Sequence, residues 1–316
     1  MHPKPTLSVH VLTYNCEMYI ESTLQSIIKQ KTNFKFEIVI GDDHSTDNTF
    51  KILKSYSRQH PNLINCKQNK EQLGILKNYK TTLDQCQGDY VFDIAGDDML
   101  KSDYALQKMV NVLKNNNSLG FVDSGYDHYY EKTKKHLPFI NKKTIVSNES
   151  FYKNQLLLGK IIPMGICYNK KALYDYVDFD TYLKMGITVE DYPILVDLAM
   201  HTNFDRINES LHIYRIHNKS HSHISDFEKQ IFLKKQMLEL ISFFQKKYNL
   251  PETLLLNAKK EFYIGCLYLA GYFGKKKLGK KMYLKLNKPS NLKLKVHYLC
   301  SQFKLFRKII SPFRKL

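Results

Sequence analysis

Apolar and polar positions along the first hundred residues predict strand and helix in alternation. LSVHVLTYN, residues 7 to 15, reads as a short strand running into a polar turn. From about Glu17 to Gln30, the residues Ile20, Leu24, Ile27 and Ile28 share one helical face. FKFEIVIGDD is almost continuously apolar, as buried parallel strands are. HSTDNTFKILKSYSRQ predicts a helix opened by the capping residues Ser45, Thr46 and Asp47. NLINCKQN predicts a third strand, GILKNYKTTLDQC a third helix and DYVFDIA a fourth strand. This repetition predicts a doubly wound α/β sheet, whose ligands bind at the carboxyl ends of its strands. Polar residues occupy those ends: Thr13, Tyr14 and Asn15 after the first strand, Asp42 and Asp43 after the second, Asp97 and Asp98 after the fourth. Three strand ends converge on one cleft.

After about residue 225 the pattern becomes purely helical. DFEKQIFLKKQMLELISFFQKKYNL is strongly periodic, and Pro251 starts the next helix, PETLLLNAKKEFYIGCLYLAGYF. The final segment, HYLCSQFKLFRKIISPFRKL, separates at 100° per residue. Leu299, Phe303, Phe306, Ile310 and Phe313 fall on one side, and Lys304, Arg307, Lys308, Arg314 and Lys315 on the other, with Pro312 bending or ending the helix. A basic, aromatic-bearing amphipathic helix is the pattern of a segment lying in a membrane interface. The alternative is a helix docked on the protein's own catalytic domain.

Charge sharpens that picture. Of a formal net charge of +18, residues 275 to 316 supply 14 Lys or Arg and no acid, which leaves +4 for residues 1 to 274. Basicity confined to a tail points to docking more than to nucleic acid. A hydrophobic content of 43% with 13% aromatic residues excludes a disordered chain. Six cysteines without a CxxC pair argue against a zinc ribbon or a disulfide framework and fit a reducing compartment. No charged-then-apolar leader opens the sequence, and no apolar run reaches the roughly 18 residues of a spanning helix. The expectation is a cytoplasmic protein attached peripherally to the inner face of the cell membrane.

The paired acids carry the chemistry. In DYVFDIAGDDML, residues 89 to 100, two like charges close an apolar strand, which they do when a cation or a hydrogen-bonding partner faces them. Neither GxGxxG nor GxxxxGK[ST] occurs, so an ordinary dinucleotide fold and a P-loop enzyme lose support. A nucleotide without a glycine loop needs another counter-charge, and a divalent cation held by carboxylates supplies one.

At this point the residues resemble a family. SVHVLTYN, EIVIGDDHSTDNT, QLGILKNY, GDYVFDIAGDDML, MGITVEDYPILVDLA and HIYRIHNKSHS are similar, in order and spacing over roughly residues 6 to 223, to the motifs of family-2 inverting glycosyltransferases, in the branch whose metal motif ends in Gly-Asp-Asp. The resemblance implies a GT-A fold, a Rossmann-like mixed sheet flanked by helices. Residues 1–225 would form the glycosyltransferase domain, with a nucleotide-binding half (1–110) and an acceptor half (111–225), and residues 226–316 a helical, basic extension. It implies transfer of a sugar from a nucleotide-diphosphate sugar, a UDP-sugar foremost, to a glycan or lipid-linked acceptor in surface-polysaccharide synthesis, with Mn²⁺ or Mg²⁺ as cofactor. By the same resemblance Thr13, Tyr14 and Asp42 or Asp43 would hold the nucleoside, with Asn15 beside them. Lys77 and Asn78 would lie near the diphosphate, and Tyr214, Arg215 and His217 in a lid-like segment next to it. Asp97 would coordinate the metal, with His217 as a candidate further ligand and Asp98 as ligand or sugar contact. Asp191 would be the catalytic base. One departure stands out: the first acid of the family's DxD pattern falls on Ala95, and Asp93 comes two residues too early.

Plainer readings remain beside these. Asp42 and Asp43 could cap the following helix and Asp97 and Asp98 one starting near Lys101, while Glu190 and Asp191 could be first-turn acids favoured by the dipole of the YPILVDLAM helix. His217, among His212, His221 and His223, could belong to a solvated loop. The aromatic run YDHYYEK (126 to 132) reads as edge-strand surface more than as a base-stacking platform. A nucleic-acid-associated protein using the basic tail, and a sugar-phosphate nucleotidyltransferase, are the competing functions. The near-neutral body and the lack of a reader motif or of a glycine-rich basic signature count against them, and no nucleic-acid partner is expected.

Overall fold

The structure is a computed structural model that describes residues 4–138, 149–161, 163–218 and 226–307. The chain forms two compact units, residues 1–218 and 219–316.

The first unit is built on a mixed nine-stranded sheet. Its strands are β1 (Leu7–Thr13), β2 (Phe36–Asp42), β3 (Ile64–Gln68), β4 (Tyr90–Ala95), β5 (Met99–Leu100), β6 (Leu119–Tyr130), β7 (Lys135–Leu137), β8 (Cys167–Asn169) and β9 (Asn203–Ile216). Between them lie α1 (Ile20–Ile28), α2 (Thr49–Gln59), α3 (Ile75–Leu83), α4 (Ala105–Asn115), α5 (Glu149–Leu157), α6 (Lys170–Tyr176), α7 (Phe179–Lys184) and α8 (Asp191–His201). The strand order is β3-β2-β1-β4-β8-β6-β9-β5, with β7 on β6. β3, β2, β1 and β4 run parallel, as the alternation of strand and helix predicts, and β8 pairs antiparallel with both β4 and β6.

Alternation along β1 assigns its two faces. Leu7, Val9 and Val11 join a buried cluster with Leu24 and Ile27 of α1 and Leu106, Met109, Val110 and Leu113 of α4. Each such side chain contributes about 1.5–3 kcal/mol when fully buried. Ser8 and His10 point to the other face, where His10 meets Tyr79 of α3 edge-on at 4.6 Å. The sheet is thus covered by helices on both faces.

Several local expectations change in the folded chain. β6 is an inner strand: His128 to Tyr130 pair with β9 on one side and with β7 on the other, so YDHYYEK is not edge-strand surface. Its buried Asp127 faces Lys101 at 2.7 Å, a contact a sequence window cannot show. α2 starts at Thr49, and Ser45 is turned back to Asp42 instead of capping it. Asp97 and Asp98 cap no helix, because β5 follows them and α4 begins only at Ala105.

The second unit consists of α9 (Phe227–Lys247), α10 (Glu252–Phe273), α11 (Lys276–Lys285) and α12 (Leu292–Gln302). Asp226 caps α9 by accepting from Lys229 N–H, and Gly274, with φ of 66°, ends α10. Ile231, Cys266, Leu267, Leu269, Met282 and Leu294 form its core. The last segment is not one continuous amphipathic helix. α12 stops at Gln302, Phe303 is extended, and Leu294, His297, Cys300 and Ser301 are buried, with His297 packed between Tyr268 and Tyr272 of α10. Of the apolar face read from the sequence, Phe303 is exposed and Leu299 and Phe306 are half-buried, so the side of α12 packed in its own unit is a different one. Lys308, Ile310, Pro312, Phe313, Arg314 and Lys315 lie outside the described residues.

Candidate active site

Three strand ends meet at the carboxyl edge of the parallel strands, and backbone contacts fix how closely. Thr13 and Asp42 are register partners, and Asp43 N–H donates to Thr13 O at 2.9 Å. Gly96 N–H donates to Leu12 O at 2.9 Å, and a Cβ on Gly96 would come within 2.5 Å of the Thr13 methyl. Glycine before the paired acids therefore lets the β4 end close onto β1.

Asp42 is fully buried and accepts from Thr13 Oγ1 (3.0 Å), Gln68 Nε2 (2.9 Å) and the N–H and hydroxyl of Ser45. Asp43 accepts from Leu73 N–H (2.7 Å), Gly74 N–H (3.0 Å) and Asn69 Nδ2 (3.1 Å), and so shapes the loop ahead of α3. Asn78 is buried as well and donates to Gly41 O at 3.1 Å. Asn15, in the left-handed region at φ 52°, accepts from Thr46 N–H at 2.9 Å and ties the β1 loop to the β2 loop. Tyr14 and Lys77 are exposed. The buried acids fix the loops after β1 and β2, and the exposed tyrosine and lysine are left facing solvent.

The paired acids are treated differently from one another. Asp98 is buried, accepts from Arg215 N–H at 2.9 Å and lies 3.3 Å from His212 Nε2. Burial raises its pKa, and His212 partly offsets that. Thr23 Oγ1 sits 2.7 Å from Asp98 O and 3.0 Å from Gly96 O, holding the turn from α1. Asp97 is only half-buried, and His217 Nε2 donates to its Oδ2 at 2.9 Å. The ring of Tyr19 lies against His217 at 4.3 Å. Arg215 braces this group, donating to Asp97 O (2.7 Å), Ser22 Oγ (2.8 Å) and Glu131 (2.5 Å). Hydrogen bonding from Lys134 first, and from Arg215 next, holds Glu131 below the ordinary carboxylate range. Cys16 is pushed up to about 12 by burial and by Asp97, Asp47 and Asp42, which shows how closely these acids gather.

A second acidic group lies by the face of the sheet that carries His10. Asp93 accepts from His10 Nδ1 at 2.9 Å and from Tyr79 OH at 2.7 Å, so it is committed there and does not replace the acid missing at Ala95. Glu190, at the start of α8, acts electrostatically on Tyr79 and Tyr168 together with Asp93, and Asp191 acts on Tyr168. Burial first, then repulsion from Asp191, pushes Glu190 up to about 8. Burial also raises Asp191, against a hydrogen bond from Tyr192 N–H. Glu190 stands at the N-cap of α8 without a side-chain cap bond, and Asp191 is an acid of its first turn, in keeping with the plainer reading.

Asp97, Asp98, Arg215 and His217 thus form one cluster beside Thr13, Asn15, Asp42 and Asp43, while Asp191 belongs to the group around Asp93. Sequence reasoning missed Glu131 and His212 as parts of the cluster, since a strand acid in an aromatic run and a histidine among several carry no local signal. His221 and His223 lie outside the described residues.

The fold and the motifs agree with known proteins. The family model for glycosyl transferase family 2 matches residues 8–178, and the chain belongs to that family. It is 31% identical over 196 residues to the chondroitin synthase of Escherichia coli, covering 58% of this chain and 26% of that enzyme. The chain covers less than a third of the length of several curated relatives, 31% in one case. Among solved structures, Staphylococcus aureus TarS (residues 1–349) with UDP-GlcNAc superposes with a TM-score of 0.57 at 15% identity, over 96% of this chain and 92% of that one. The mannosyltransferase PcManGT of Pyrobaculum calidifontis, bound to GDP-Man and Mn²⁺, does so with a TM-score of 0.57 at 15% identity, over 100% and 89%. These likenesses establish the GT-A fold.

Proposed function

We propose that the protein transfers a sugar from a nucleotide-diphosphate sugar, a UDP-sugar foremost, to a glycan or lipid-linked acceptor in surface-glycan synthesis, with inversion at the anomeric carbon. The observation that carries this reading is the Asp97–His217 pair, 2.9 Å apart at the end of β4 and beside the polar ends of β1 and β2.

The donor set fits a divalent cation of limited protein ligation. Among the described residues no three His, Cys, Asp or Glu side chains group to hold a metal. Mg²⁺-like ions are commonly held by one or two side chains, with substrate phosphates and water completing the shell. Asp97 and His217 would be those two ligands, and Asp98, engaged by Arg215 and His212, would position them. The cation would offset charge developing on the leaving diphosphate. Lys77 and Arg215 would add positive charge to the donor site. Tyr14 would stack on the nucleoside, with Thr13, Asn15, Asp42, Asp43 and Asn78 holding the loops that receive it.

Inversion needs one displacement and one base. Asp191 would accept the proton of the incoming hydroxyl while the nucleoside diphosphate leaves on the opposite side. Burial raises its basicity, which favours that role. Residues 1–225 would make up the catalytic domain, divided near residue 110 between donor and acceptor. Residues 226–316 would attach it to an anionic membrane surface through the basic stretch 275–316. No described helix is long and apolar enough to cross a membrane. Release of free nucleoside diphosphate from a panel of nucleotide sugars, with Mn²⁺ and with a chelator, tests the reading. Turnover of one donor dependent on the metal is expected, and turnover of none would overturn it.

A further inference from the structure

The second unit contains a groove of about 710 Å³ lined from α9, α10 and α11. Its rim carries Lys235, Lys275, Lys276, Lys277 and Lys281, all exposed, against the single acid Glu228. Its floor is apolar and includes Ile231, Phe262, Leu278 and Met282, members of or neighbours to the unit's own core. Among the described residues none of these lysines enters an ion pair within 4 Å. Lys275 instead lies over the ring of Phe227 at 4.4 Å. Lys234 and Lys235 converge on Cys266 closely enough to oppose the effect of burial, which still lifts that thiol to about 11. Uncompensated ammonium groups above an apolar floor repel one another, and an anion with an apolar continuation relieves both features at once.

We propose that this groove binds one anionic phospholipid, its phosphate among the lysines of α11 and the first part of an acyl chain on the apolar floor. The inference rests on the membrane-attachment part of the function above and gives it a defined site. Two features favour a lipid over a free phosphate. The floor would gain nothing from an inorganic anion, and the volume exceeds what a phosphate alone would fill. A site of this kind also differs from a diffuse basic surface, because only the lysines that line it should matter out of all proportion to their charge.

Flotation of the full chain with vesicles of phosphatidylglycerol and phosphatidylcholine, against phosphatidylcholine alone, tests this. Lys276→Gln/Lys277→Gln/Lys281→Gln should weaken binding to the anionic vesicles on the order of 100-fold. Lys246→Gln/Lys260→Gln/Lys295→Gln, which removes the same charge from exposed positions off the groove, should weaken it far less. Equal losses in the two variants, with unchanged thermal melting, would mean diffuse attraction and overturn the site. Displacement of the wild-type chain from vesicles by millimolar glycerol phosphate as readily as by short-chain phosphatidylglycerol would overturn the lipid as ligand. The chain has no tryptophan, so Phe262→Trp supplies one emitter at the floor. Brominated acyl chains should quench it, and bound but unquenched protein would sink the acyl-chain part. Loss of all anionic-vesicle binding by the wild type would instead remove the attachment reading itself, while donor turnover, measured alongside, stands apart from both.

Discussion

Asp97 and His217 stand 120 positions apart in the chain, yet the imidazole donates to the carboxylate at 2.9 Å. The pair joins the end of β4 to the end of β9, and Arg215, two residues before the histidine, bonds the Asp97 carbonyl in the same cluster. A motif short of its first acid at Ala95 is thereby matched with a partner from another strand.

From that relationship, Asp97→Asn should lower metal-dependent turnover by about 100-fold or more while leaving the melting temperature close to native. His217→Ala should raise the Mn²⁺ concentration needed for half-maximal rate more than it lowers the rate at saturating metal. Native turnover in Asp97→Asn at limiting metal would remove the cation from these residues.

Asp191→Asn should abolish transfer and spare donor affinity, because a base acts on the acceptor hydroxyl and not on the nucleotide. Calorimetric titration with the donor checks this. A loss of donor affinity matching the loss of activity would place Asp191 in the donor site.

Glu190 yields a prediction in pH. Its folded pKa of about 8 exceeds the unfolded value of 4.5, so between those values the folded chain holds a proton that the unfolded chain has released. Stability contributed by this group therefore falls as pH rises through that window. Glu190→Gln should raise the melting temperature clearly at about pH 8.5 and little at about pH 5. A gain that is the same at both would show that the carboxyl is not held protonated.

The basic end is best tested without touching α12, whose Leu294 and Cys300 are buried in the second unit. Removing residues 308–316 deletes Lys308, Arg314 and Lys315. None of these cations is among the described residues that line the groove, so vesicle affinity should fall far less than in Lys276→Gln/Lys277→Gln/Lys281→Gln, and the difference should shrink in high salt. Sedimentation with anionic vesicles that is unchanged by the truncation would confine attachment to residues before 308.

The parallel strands β1 to β4 and the helices between them are legible in the chain, because period 2 or 3.6 is a property of consecutive residues. The family, too, is written there, in six short motifs kept in order. Which polar groups meet is another matter. Nothing near residue 97 indicates that residue 217 will face it, nor anything near Glu131 that it will brace Arg215, since such contacts depend on how β9 returns beside β6. YDHYYEK reads as edge-strand surface, yet β7 and β9 pair with it on both sides and Asp127 within it is buried. The basic end shows a clean amphipathic pattern, yet the helix stops at Gln302 and the side it buries, Leu294, His297, Cys300 and Ser301, is not the one that pattern picks out. Proton affinity is likewise a tertiary quantity: Glu190 and Asp191 are ordinary acids in sequence, and their surroundings at the start of α8 raise both, Glu190 to about 8.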